Sequence, residues 1–270
     1  MKRLWLFIIL VIGVGAVVLF FQQNNFSDII DQDGVVKSGR TVPNPLTDNK
    51  QVADKKTETE SSMASQTNLK VNAEESKPIT EHAITILPVP FTTQAPFSDW
   101  GLPYQESCEE AAMLMAAEYF KGNHSSVLAA DYANSEILKL VAWEKREKGF
   151  YEDTTAQQVA EIIKEYYGLF AQVEPFDATH ARQAIKNKQL VLLPTAGRLL
   201  NNPHFHFPGP IYHMLVLKGF DGNEFITNDP GTRYGQSYRY TVDLLERAVH
   251  DWNNGQVEQG ASVMIIVSAT

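Results

Sequence analysis

The chain has 270 residues, with 32 acidic against 23 basic side chains and a formal net charge of −9, so it lacks the basic face that nucleic-acid binding requires. Its single cysteine cannot form an internal disulfide, and the fold has to be held by a hydrophobic core alone. No glycine-rich phosphate loop of either common kind occurs, which removes the usual nucleotide-binding signatures.

In chain order, Lys2 and Arg3 precede an uninterrupted apolar run from Leu4 to Phe21. A helix over this run is about 27 Å long, enough to cross a hydrocarbon core with little tilt. Gln22-Gln23-Asn24-Asn25 follows it and offers no small-x-small cleavage site, so residues 1–21 are expected to form an uncleaved transmembrane signal anchor. The two basic residues then stay cytoplasmic and everything after Phe21 lies on the extracytoplasmic side. Residues 22–81 are rich in Asp, Asn, Lys, Ser, Thr, Gln and Glu and show no sustained period of 2 or 3.6, which predicts a disordered polar linker.

Residues 82–270 are long enough for one domain with its own core. A short extended piece over Ile84 to Phe91 leads through a loop to a helix that starts at Cys108 and ends near Gly122. Ser107 and Glu110 read as a capping box for that helix. A second helix is expected from about Ser126 to Lys148. A third follows the capping sequence Asp153-Thr154-Thr155, runs through Val159, Ile162, Ile163 and Tyr166, and stops at Gly168. Beyond it the pattern turns mostly to strands: Leu169–Phe176, a helix capped by Asp177, the apolar run Gln189–Leu193, then Ile211–Phe220 and Glu224–Asn228 flanking the hairpin signal Asp221-Gly222-Asn223. Ser237–Tyr240, a helix over Val242–His250 and a last strand over Ala261–Val267 complete an α+β domain.

Two places carry chemistry. Cys108 falls in the first turn of its helix, where free N–H groups and the helix dipole favour thiolate over thiol; the competing account is a small buried hydrophobe. The hairpin, paired about a turn centred between residues 221 and 222, sets His213 opposite Pro230 and Met214 opposite Asp229, so that His213 and Asp229 become neighbours. A positioned imidazole can take a thiol proton while a carboxylate or amide fixes its tautomer, which is the logic of thiol hydrolases. Asn228 is a rival for that third place, and an ordinary turn accounts for Asn228-Asp229-Pro230-Gly231 equally well.

Four stretches in this order, Val89-Pro90-Phe91-Thr92-Thr93-Gln94, Tyr104-Gln105-Glu106-Ser107-Cys108-Glu109-Glu110-Ala111, Tyr212-His213-Met214-Leu215-Val216-Leu217-Lys218-Gly219-Phe220-Asp221 and Asn228-Asp229-Pro230-Gly231-Thr232, resemble the C39-like peptidase domain over about residues 86–235. The resemblance implies a papain-like cysteine-peptidase fold. It implies Cys108 as nucleophile, His213 as general base and acid, Asp229 as its orienter and Gln94 as oxyanion donor, with Gln105 a rival for the last role. Glu109 and Tyr212, beside the nucleophile and the base, are the expected substrate contacts. The family members fused to ABC exporters cut leader peptides after a Gly-Gly pair, but this chain has neither an ATP-binding domain nor a multi-span region, so that specificity is not carried over.

The expected activity is an exported, membrane-anchored cysteine peptidase acting on peptides or cell-wall peptides. The alternatives are an amidase or acyltransferase of the same geometry, and a catalytically silent binding module. His204 and His206, with His213 near, suggest three zinc ligands, yet no further Cys or carboxylate is spaced to complete the site, and prolines on both sides favour a surface loop. No cofactor, metal, nucleotide or nucleic acid is expected.

Overall fold

The computed structural model describes residues 84–270; the expected anchor (residues 1–21) and linker (22–81) lie outside the described residues. Its framework is a seven-stranded, wholly antiparallel sheet with helices packed on it. Five strands follow one another through the centre and one edge, in the spatial order β7 (Val263–Ser268), β3 (Leu190–Ala196), β4 (Tyr212–Asp221), β5 (Glu224–Asn228) and β6 (Tyr238–Thr241). On the other edge β2 (Phe170–Pro175) pairs with β7, and β1 (Thr85–Ile86) pairs with the turn end of β4. All seven residues of β3 are buried and all but the last of β4, as their continuous apolar runs require.

The helices are α1 (Cys108–Phe120), α2 (Ala130–Glu147), α3 (Ala156–Tyr167), α4 (Ala178–Lys186) and α5 (Val242–Ala248). Helix α1 is buried from Cys108 to Glu118 because it is covered on two sides. Ala112, Met113, Met115 and Ala116 join the main core built on β3, β4 and β7, whereas Ala111 and Leu114 pack with Leu128, Ala133, Ile137 and Val141 of the α2 region. Burying each of the larger side chains, Met113, Leu114 and Met115 among them, contributes about 1.5–3 kcal/mol. The cysteine therefore starts a central helix whose axis is fixed along most of its length.

Local signals explain most boundaries. Thr155 and Gln158 form a reciprocal capping box at the start of α3, and Gly168 closes that helix at φ 67°. Asp177 caps α4 by accepting from the His180 N–H, and Thr241 caps α5 by accepting from that of Leu244.

Four expectations are corrected. The second helix begins at Ala130, not Ser126, because Val127 and Leu128 are tied instead to Phe91. The extended piece Ile84–Phe91 is a strand only over Thr85–Ile86. No capping box opens α1: the Ser107 hydroxyl donates back to the Pro103 carbonyl, and the buried Glu110 carboxyl caps nothing. The hairpin loop is Gly222-Asn223, so Asp221 faces Glu224 rather than residue 222.

That last shift has consequences for faces. An unbroken ladder with this turn would put His213 and Asp229 on opposite sides, since residues along a strand alternate. A one-residue bulge at Lys218, between the pairs Gly219–Ile226 and Leu217–Thr227, reverses the parity. Continued past the last pair, Val216 with Asn228, the new register sets His213 opposite Gly231 and on the same face as Asp229.

Candidate active site

His213 and Asp229 meet as that register requires. The imidazole Nε2–H donates to Asp229 Oδ1 at 2.7 Å, with His213 1% and Asp229 0% exposed. Oδ1 also accepts from the Gly231 main-chain N–H at 3.0 Å, and Oδ2 accepts from the Tyr240 hydroxyl at 2.6 Å and the Asn202 amide at 3.0 Å. Burial raises the Asp229 pKa, but the facing imidazole and these hydrogen bonds outweigh it, so the carboxyl lies below its usual range and stays ionised. The Nε2 proton is thus fixed toward Asp229, and Nδ1 is left as the basic nitrogen.

Gly231 is required by this packing. A Cβ there would lie 2.8 Å from His213 Cε1 and 2.9 Å from Phe205 Cε1. Phe205 stands edge-on to the imidazole with ring centroids 5.2 Å apart. Asn228 is not on the imidazole: its amide donates to the Val89 and Pro90 carbonyls, and its oxygen accepts from the Ser237 N–H.

Cys108 is buried at the start of α1, which packs against β4. Its thiol donates to Glu109 Oε2 at 2.9 Å and makes no hydrogen bond to His213. Burial, then the charge and hydrogen bond of Glu109, then the charge of Glu110 push the thiol pKa well above its ordinary value; only the Met214 main-chain N–H pulls the other way. That N–H belongs to the residue after His213, which locates the sulfur beside the strand carrying the imidazole.

The two expected substrate contacts are both buried. Glu109 Oε1 accepts from the Thr154 N–H at 3.0 Å and hydroxyl at 3.2 Å, while the Tyr212 hydroxyl donates to the Thr154 carbonyl at 2.9 Å. Burial raises Glu109 to about 7, against the lowering effect of its hydrogen bonds from Cys108 and Thr154. Glu110 and Glu144 face one another below it with no donor on any of their four oxygens. Burial and the charge of Glu144 raise Glu110 well above its usual range, and burial raises Glu144 to about 8 against the lowering effect of Glu110.

Gln94 is buried beside the turn that leads into Cys108, but both amide protons are engaged, with the Tyr104 carbonyl at 2.9 Å and the Gln105 carbonyl at 3.0 Å. Its main-chain N–H bonds to Pro230, so one residue ties the cysteine side to the loop after Asp229. Gln105 is exposed and donates to Glu106. His204 stacks on Tyr234 with centroids 4.6 Å apart, and the Nε2 of His213 is committed to Asp229.

Sequence reasoning missed Asn202 and Tyr240 as holders of Asp229. Asn202 lay inside a stretch read as a surface loop, and Tyr240 inside a strand with no motif; only the fold brings them together.

Comparison with known proteins agrees with the resemblance in sequence. The profile of the Peptidase_C39 like family matches residues 86–257. No curated protein matches. Among solved structures, a C39-like peptidase from Bacillus anthracis is similar at a TM-score of 0.46 and 17% identity, covering 70% of this chain and 98% of that one. A double glycine motif protease from an AMS/PCAT transporter, in complex with its leader peptide, is similar at a TM-score of 0.38 and 16% identity, covering 69% and 95%.

Proposed function

The chain belongs to the Peptidase_C39 like family, and from that membership we propose that it is a cysteine peptidase in which Cys108, His213 and Asp229 form the catalytic triad. The observation that carries this reading is the buried His213–Asp229 pair at 2.7 Å on the strand against which the cysteine helix packs. A histidine so oriented, with Nδ1 free and a thiol beside the same strand, is the arrangement a thiol nucleophile needs.

In the proposed reaction the Cys108 thiol turns from Glu109 toward His213, a change in keeping with catalytic hydrogen bonds that tighten only once substrate is bound. Nδ1 takes the proton as sulfur attacks the scissile carbonyl carbon. The first-turn N–H of α1 has no intrahelical acceptor and points at the developing oxyanion. Gln94 adds its amide by exchanging one of its two carbonyl partners for that oxygen. The imidazolium returns the proton to the leaving amine, and water, deprotonated by the same nitrogen, cleaves the thioester to release the acid and restore the thiol. Exposed Trp100, Leu102 and Phe207 on the loops before Cys108 and before His213 suit apolar side chains of a peptide substrate. The apolar run from Leu4 to Phe21 supports the accompanying proposal that the enzyme is membrane-anchored with this domain extracytoplasmic.

One observation favours a second reading, a binding module of the same fold: the thiol is buried, raised in pKa and bonded to a carboxylate rather than to the base. A single experiment separates the two. The full chain is recovered from the membrane fraction in detergent, as wild type and Cys108→Ala, and incubated with a peptide library and purified peptidoglycan. Products from the wild type alone are expected. Products common to both proteins remove the peptidase claim, and recovery in the soluble fraction without detergent removes the anchor.

A further inference from the structure

The acceptor nearest to the nucleophile is not the histidine. Glu109 Oε2 lies 2.9 Å from Cys108 Sγ, and its other oxygen is held by the Thr154 N–H and hydroxyl, so the carboxyl is aimed at the sulfur by two fixed donors. Thr154 is itself held, because its carbonyl accepts from Tyr212, whose hydroxyl also reaches Asp251 at 3.5 Å. Asp251 in turn accepts from the Ala156 and Trp252 N–H groups. This chain of bonds, buried from Tyr212 to Cys108 and partly buried at Asp251, holds the carboxyl in place, and it ends on the reacting atom.

We infer that Glu109 is a further catalytic residue, which shares the Cys108 proton and holds the nucleophile as a thiol until that carboxyl is itself protonated. The inference rests on the assignment of Cys108 as nucleophile.

The physical reason is charge. A thiolate–imidazolium pair formed beside ionised Glu109 would set two anions at hydrogen-bond distance in a buried site, where like charges interact strongly. With Glu109 protonated, the same O–H donates to the thiolate and the repulsion becomes a hydrogen bond. When the Cys108 proton moves to Oε2, one S–H breaks, one O–H forms and the pair keeps a single negative charge; when it moves instead to His213 Nδ1, the proton on Oε2 has first come from solvent, so that Cys108, Glu109 and His213 together carry no net charge.

Beyond the His213 imidazolium itself, the groups acting on the sulfur and on Glu109 include no cation to relieve this. Glu110 lies on the same helix and Glu144 on α2, Asp153 precedes α3, and Tyr212 lies on β4; each interacts with Glu109 or Cys108 as an acid. Burial and the charges of Glu106 and Glu152 raise Asp153 to about 6. The thiol therefore meets the two carboxyls of its own helix, and no Lys or Arg is among the groups acting on it or on Glu109.

The test is the pH dependence of Cys108 alkylation by iodoacetamide in the full chain, since it is the only cysteine and needs no substrate. Glu109→Gln keeps the size of the side chain, removes the charge and offers an amide donor to sulfur. The alkylation midpoint is expected to fall by at least about one pH unit, which is about tenfold faster labelling below the midpoint. Glu110→Gln removes the same formal charge from the neighbouring position without touching sulfur and is expected to move the midpoint less. An unmoved or raised midpoint in Glu109→Gln, or equal shifts in the two variants, overturns the inference. Should the amide variant not fold by circular dichroism, Glu109→Asp, which withdraws the carboxylate by one methylene, should lower the midpoint by a smaller step; no shift there overturns it as well. If wild type and Cys108→Ala release the same products while Glu109→Gln still shifts the midpoint, the peptidase reading fails and the proton sharing stands.

Discussion

Two regions of this site hold buried carboxyls, and they shift their pKa values in opposite directions. Asp229, at the end of β5, is met by donors from an imidazole, a main-chain N–H, a tyrosine and an asparagine amide. At the start of α1, Glu109 has Cys108 and Thr154 as donors, whereas Glu110 and Glu144 have only each other. Burial acts on all of them in the same direction; the number of donors decides which stays ionised. The contrast divides the labour, with one fixed anion to orient a base and a group of protonatable acids next to the thiol.

The sharpest way to break the contrast is to remove the anion. Asp229→Ala leaves the His213 ring without its acceptor and leaves the Tyr240 and Gly231 donors without theirs, while the Asn202 amide keeps only its bond to the Tyr240 hydroxyl. Peptide hydrolysis by the purified full chain is expected to fall by about 10³–10⁴ in kcat, the scale on which loss of tautomer control acts in triad enzymes. A loss under tenfold would show that the base does not depend on that carboxylate.

How legible this was depended on the range of each interaction. Helix α3, with Thr155, Gln158 and Gly168, was readable because its start and stop signals are local. So were β4 and β5, whose apolar runs stand on either side of Asp221-Gly222-Asn223. The pairing of His213 with Asp229 was expected, but through a register the structure corrects, because a bulge at Lys218 leaves no mark in composition. Ser107 and Glu110 show the reverse failure: the spacing fits a capping box, yet packing against α2 takes Glu110 inward to face Glu144. Asn202 and Tyr240 converge on Asp229 from positions 27 and 11 residues away in sequence, and no local pattern encodes that.

The acid-rich side can be tested through stability. Glu110 and Glu144 have folded-state pKa values above those of the unfolded chain. The native state thus keeps protons that the unfolded chain releases above its ordinary carboxyl range. Their contribution is complete below pH about 4.5 and is lost as pH rises toward 8, which is the sign opposite to that of Asp229, whose contribution is lost only as pH falls below about 4. The domain is expected to lose on the order of a few kcal/mol between pH 5 and 8, and Glu110→Gln to flatten that slope and be the more stable protein at pH 8. Urea unfolding of both across this range checks it, and parallel curves would contradict the protonated pair.

The smallest effect tests how many donors Asp229 needs. Tyr240→Phe removes the 2.6 Å hydroxyl bond from Oδ2 but leaves Asn202, the Gly231 N–H and His213 in place. The ring remains as packing, and the change removes one donor to a charged acceptor, about 1.5–3 kcal/mol of stability at neutral pH, together with the acceptor of the 2.9 Å bond from the Asn202 amide, which keeps its bond to Oδ2. With that donor gone the carboxyl pKa rises toward its unfolded value, so the acid-side loss of stability is smaller than in the wild type and is complete at a higher pH. Hydrolysis should change less than tenfold, because His213 still has its acceptor. If Tyr240→Phe instead lowers activity as far as Asp229→Ala does, the hydroxyl is fixing the position of the carboxylate and not merely its charge, and the two sides of the site differ in rigidity as well as in protonation.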